Sequence, residues 1–119
     1  MAATKNSRTL LTSQSLAAAT SVNASTELNL STAYGALVAV KITNGASAPT
    51  TAPTVTFYVG ESTGTKRKLY QVAGNTVNSS VNDYVCEIPA PAMFVNVTIL
   101  NGATNAITVE VYAQELTTI

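Results

Sequence analysis

"VKITNGASAPTTAPTVTFYVG" (residues 40–60) and "VTILNGATNAITVEVYA" (residues 97–113) are two renderings of one phrase. Each runs alternating apolar residues into Asn-Gly-Ala, crosses a loop and resumes the alternation. A period of two marks a strand with one buried face. Val38, Val40 and Ile42 correspond to Val95, Val97 and Ile99, and Asn44-Gly45-Ala46 to Asn101-Gly102-Ala103. Val55, Phe57 and Val59 correspond to Ile107, Val109 and Val111. A slip of one residue would turn each apolar trio to solvent, so the pattern sets the register. Asn-Gly tolerates positive φ, which tight turns between paired strands require. The reading is a pair of corresponding β-hairpins, one in each half of a sandwich.

Strand signals continue on both sides of the two phrases. A strand is expected near Arg8 to Leu16, and "STELNLS" places Leu28 and Leu30 on one face. "KRKLYQVAG" follows the turn "STGT", and "NDYVCEIPAP" reads as a strand ended by Pro89 and Pro91, which donate to no ladder. Around Ala17–Ala19 the contiguous helix formers are too few for a stable helix, so that stretch reads as strand and extended loop. Residues 1–7 have no periodic apolar positions and are expected to be a flexible arm. Residues 8–119 are expected to form a single domain. About eight short strands separated by turn clusters predict an all-β fold, an antiparallel β-sandwich of the jelly-roll or immunoglobulin-like kind.

Composition narrows the function. Of 119 residues 46% are hydrophobic and only 10% charged, against roughly 25% charged in ordinary soluble domains. Thr, Ser, Asn and Ala replace the missing charge. Hydroxyls and amides lose less solvation and side-chain entropy on burial than long charged side chains, which favours packing into an assembly. Six basic and six acidic residues balance, which argues against a nucleic-acid partner. No apolar run is long enough for a membrane helix, and the N-terminal stretch lacks the apolar core of a signal peptide. Synthesis and folding in a cytoplasm are therefore expected. The single cysteine, Cys86, cannot close an intrachain disulfide and reads as a buried hydrophobe.

No constellation for chemistry emerges. The chain has no histidine and one cysteine, which removes the usual zinc sets and any activated thiol. Glu87 and Glu110 lie on strands whose apolar neighbours face the other way, so both should point to solvent. "GESTGTKRK" contains Gly60, Gly64 and Lys66 but lacks the spacing and the helix of a phosphate loop. No enzyme, cofactor or metal is expected. The remaining candidates are interface residues: Tyr58 and Tyr112, placed on outward faces, and the basic run Lys66, Arg67 and Lys68. Tyr buries area at little entropic cost, and a basic patch suits an acidic neighbour.

The stretch "PAPAMFVNVTILNGATNAITVEVYAQEL", residues 89–116, resembles the C-terminal hairpin of small tailed-bacteriophage virion proteins. The residues that carry the likeness are Pro89, Pro91, Val95, Val97, Ile99, Asn101, Gly102, Val109, Val111, Ala113, Gln114 and Glu115. The resemblance implies a capsid decoration (cement) protein that bridges subunits of the major capsid protein on the virion surface. A homo-oligomer, with no nucleic acid and no membrane, is the expected setting. The alternatives are a tail or head-fibre component, or a carbohydrate-binding β-sandwich module, which should cluster Trp, Tyr and Asp; Trp is absent here.

Overall fold

Alternating residues become strands with one dry face because each apolar trio is removed from water against another. In a computed structural model, residues 4–23, 28–60 and 66–118 are described, and these form nine strands. They are β1 (Thr4–Leu16), β2 (Ser21–Asn23), β3 (Leu28–Asn29), β4 (Ala36–Asn44) and β5 (Thr54–Gly60). β6 (Arg67–Ala73), β7 (Val81–Ile88), β8 (Phe94–Leu100) and β9 (Ile107–Thr118) complete the order. All pairings are antiparallel, in two sheets ordered β1-β9-β4-β7 and β2-β8-β5-β6, with β3 also on β8.

The order is that of one long hairpin folded over. β5 pairs with β6 at its tip, then β4 with β7, β2 and β3 with β8, and β1 with β9. Wrapping this ribbon brings β9 against β4 and β8 against β5. The result is a jelly-roll; the immunoglobulin order groups its strands differently.

The two quoted phrases are not hairpins. β4 lies in the first sheet and β5 in the second, while β8 lies in the second and β9 in the first. Each phrase is an arch that crosses the core, so its two apolar trios face each other instead of lying side by side. Alternation shows which face is dry; it does not say whether the next strand pairs with the first or packs on it. Positive φ occurs at Ala19, Gly35, Ser79 and Asn105, not at Gly45 or Gly102, so no Asn-Gly hairpin turn forms.

The phrases pair with each other. Ile42 pairs with Val109 and Val40 with Val111, just as Ile99 pairs with Val55 and Val97 with Phe57. By this register Val55 corresponds to Val109, not to Ile107 as the loop-based alignment has it. Of the twelve expected core residues, all are buried except Val59, which is partly buried against the core. Leu10, Leu11, Leu16, Leu28, Leu30 and Ile88 join the same core.

The repeated asparagines act inside the protein. Asn44 and Asn101 are each 3% exposed. Asn44 Nδ2 donates to Asn75 Oδ1 and to the Val77 carbonyl, both at 2.9 Å. Asn101 Nδ2 donates to the carbonyls of Leu16 (3.1 Å) and Asn105 (2.9 Å), and its Oδ1 accepts from the Gly102 N–H at 2.7 Å. Gly102 lies so close to the other arch that a Cβ would collide with the Thr51 carbonyl oxygen, whereas one on Gly45 would meet only ordinary contacts.

Residues 4–7, assigned to an arm by sequence, lie in β1. Lys5 pairs with Leu116, Asn6 with Glu115 and Ser7 with Gln114. Backbone pairing needs no apolar periodicity, and β9 is long enough to supply it. Residues 1–3 fall outside the described residues.

Replacing Phe57, fully buried, by Ala should cost about 3–5 kcal/mol through the cavity it leaves. Gly102→Ala should destabilise clearly while Gly45→Ala leaves stability nearly unchanged. Urea unfolding monitored by circular dichroism measures all three.

Candidate functional site

The outer face of the first sheet follows from the same alternation that fills the core. Residues 37, 39 and 41 of β4 point away from it, as do 110, 112 and 114 of β9 and 83, 85 and 87 of β7. Register places Thr9, Tyr112, Ala39 and Val85 in one row across four strands, and Ser7, Gln114, Leu37 and Glu87 in the next. Glu110, Lys41 and Asp83 form the row on the other side. An antiparallel sheet with one wet face usually shows polar residues there. Here the centre is Leu37, Ala39, Tyr112 and Val85, with Leu37 49%, Val85 56% and Tyr112 41% exposed.

Two open grooves border this patch and share Leu37 and Gln114. The larger, about 530 Å³, is lined by Lys5, Tyr34, Leu37, Glu87 and Glu115 among others. The smaller, about 290 Å³, runs along Arg8, Thr9, Ala39 and Tyr112. Glu115 is 3% exposed. Its Oε2 accepts from Arg8 Nε and Asn6 Nδ2, both at 3.2 Å, so its charge ties β1 to β9.

Tyr112 is held in place on the patch. Its hydroxyl donates to Glu110 Oε2 at 3.0 Å, and Glu110 Oε1 lies 3.8 Å from Lys41 Nζ. The hydrogen bond to the carboxylate favours the protonated phenol, and the same charge repels a phenolate, so the Tyr112 pKa is raised.

The second sheet presents a different outer face. Thr54, Thr56, Asn96 and Thr98 lie on it, Thr56 and Asn96 buried, with exposed Leu100 beside Thr54, and Thr98 Oγ1 donates to Asn23 Oδ1 at 2.6 Å. Tyr58 lies there with Lys66 Nζ 5.6 Å from its ring centroid. Lys68 Nζ donates to Gln71 Oε1 at 2.6 Å, and Arg67 begins β6 at the edge. The five sequence candidates therefore divide: Tyr58, Lys66, Arg67 and Lys68 belong to the second sheet, and Tyr112 to the first. Leu37 and Val85 were not among the sequence candidates. Their signal was apolar residues on both sides of the alternation in residues 36–40 and 81–88, where the outward side of a wet sheet should be polar.

Among the described residues no group of three or more His, Cys, Asp or Glu is placed to hold a metal. Cys86 is buried, and burial pushes its thiol pKa up, which keeps it protonated and poorly nucleophilic. The arrangement offers surfaces for contact.

No family model and no curated protein matches the sequence. Solved structures share its fold. One, from Bacillus endospore appendages described as disulfide-linked pili, superposes with a TM-score of 0.58 at 19% identity, over 100% of this chain and 93% of that one. A chain of infectious bursal disease virus (Gx strain) gives a TM-score of 0.63 at 11% identity, over 96% of this chain but only 32% of that one. The SPBc2 prophage-derived protein YomS gives 0.54 at 19% identity, over 96% of both chains. At these identities the likeness is one of fold.

The Tyr112 hydrogen bond has a direct readout. In a spectrophotometric titration at alkaline pH, Tyr112 should ionise above ordinary tyrosine, and Glu110→Gln should bring that ionisation down. Any stability tied to this raised pKa is complete below the ordinary tyrosine pKa of about 10 and fades as pH rises through the raised value.

Proposed function

We propose that this chain is a non-enzymatic structural protein of a bacteriophage virion, a decoration or cement protein that bridges subunits of the major capsid protein. The observation that carries the reading is the apolar centre of the first sheet's outer face, formed by Leu37, Ala39, Tyr112 and Val85. Covering the exposed half of a side chain such as Leu37 or Val85 contributes on the order of 1 kcal/mol. Glu87 on one side and Glu110, Lys41 and Asp83 on the other give the apolar centre a charged rim, the arrangement of an interface with a dry core and a polar border. Each contact is modest, but a lattice engages many copies at once and raises their effective strength.

Two further facts support the reading. The fold is shared by a chain of infectious bursal disease virus and by a prophage-derived protein. Residues 89–116, which carry the likeness to phage virion proteins, form the proline turn after β7, β8, the second arch and most of β9. A fibre subunit is the second reading, favoured by the whole-chain likeness to an endospore appendage protein.

Decorated and stripped phage shells should differ on heating: decorated shells should stay intact to higher temperature, and adding the purified protein back should restore them. Leu37→Asp with Val85→Asp should prevent rebinding without unfolding the protein, because both side chains are exposed. Equal rupture temperatures for bare and decorated shells would remove the cement role and leave the fibre reading.

A further inference from the structure

The free edges of the two sheets are not equivalent. β1 carries three register shifts against β9, and β2 and β3 span three and two residues. Bulges and short length are the ordinary ways of keeping an edge from pairing with another chain. β6 starts in the basic run Lys66, Arg67 and Lys68; its one register shift against β5 falls beside Lys68, and Tyr70–Ala73 pair in register and stay flat enough for a partner. β7 differs from all of these. Its eight residues pair with β4 without a shift, and among the described residues no strand covers its other side.

β6 and β7 end their respective sheets on the same side of the sandwich. Residues 74–80 join them there, and the Tyr84 hydroxyl donates to the Ala73 carbonyl at 3.3 Å. The joining loop lies at the pole of the arches, fixed by Asn44 to Val77 and by the Gly74 N–H to the Pro53 carbonyl. β6 therefore begins, and β7 ends, at the opposite pole. Lys66 and Lys68 lie at that pole on one edge and Glu87 on the other, all three exposed.

We infer that β6 and β7 form a self-association seam, and that the partner is a second copy of this chain. A two-fold axis parallel to the strands places β7 of one copy beside β6 of the other, and the reverse, so each sheet of one molecule continues into the other sheet of its mate. Strand direction is kept by such an axis, and β6 and β7 run oppositely within a molecule, so the new pairs are antiparallel. Height along the strands is also kept, which brings Glu87 of one copy to Lys66 and Lys68 of the other. Charge selects this arrangement. β7 carries Asp83 and Glu87 and β6 starts in the run Lys66, Arg67 and Lys68, so this joining sets an acidic edge against a basic one, whereas joining β7 to β7 and β6 to β6 would bring together edges of like net charge. The interface is isologous and closes at two copies, so it yields a dimer and not a fibre.

The test is the mass of the full chain in solution by sedimentation equilibrium at low and high salt. A dimer that weakens with salt is expected, since the seam charges are exposed. Glu87→Lys makes both edges basic and should weaken the dimer by about tenfold or more. Lys66→Glu with Lys68→Glu makes both edges acidic and should do the same. An equimolar mixture of the two variants should recover a heterodimer near wild-type strength. Thermal unfolding of each variant confirms that it is folded. A wild-type monomer at high micromolar concentration overturns the inference, and so does a dimer that Glu87→Lys leaves unchanged. The outcome is independent of the virion assignment, because no capsid protein is involved.

Discussion

Everything in this sandwich hangs on the crossing of two arches at one pole. The loop after Asn44 and the loop after Asn101 must pass between the sheets without leaving backbone groups dry and unpaired, a cost of about 1–3 kcal/mol for each group left so. They do it with polar side chains buried among loops. Asn44 holds residues 75–77, and Asn101 holds residues 16 and 105. Ala103 N–H donates to Thr51 Oγ1 at 2.8 Å, Asn105 Nδ2 donates to the Ala48 carbonyl at 3.0 Å, and Thr50 and Thr104 share a hydroxyl contact at 2.9 Å. Gly102 lets the arches touch. Once the crossing is set, β4 must meet β9 and β5 must meet β8, and the apolar trios close on one another.

The same crossing explains what the sequence shows and what it hides. Strand faces are visible in the alternation because a buried side chain must be apolar wherever its partner lies. Val38, Val97 and Val109 could be assigned to the core on that ground alone. The partner itself is not visible. An arch and a hairpin demand the same alternation, and Asn-Gly suggested the hairpin because its usual service is positive φ. At Asn44 and Asn101 the working group is instead the buried side-chain amide, a role that depends on loops distant in sequence. The ladder of residues 4–7 was hidden for a related reason: β9 supplies the backbone partners, and polar side chains leave no pattern.

The surface was harder to read than the core. Tyr58 and Tyr112 both point outward, as alternation requires, but they sit on opposite faces because the arches send β5 and β9 to different sheets. The stronger surface signal was Leu37 and Val85, apolar residues on the outward side of their strands. About half of each side chain stays in water when this chain folds alone. Their placement beside Tyr112, itself held by Glu110 and through it near Lys41, forms a firm apolar platform with a charged rim. That combination suits a protein whose work is contact.

The central claim is that the chain works by covering a repeating shell. Quantitative mass spectrometry of purified particles counts it against the major capsid protein. Copies in the hundreds, in a fixed ratio to the shell subunit, are the predicted result. A few copies per particle, or none, would contradict it.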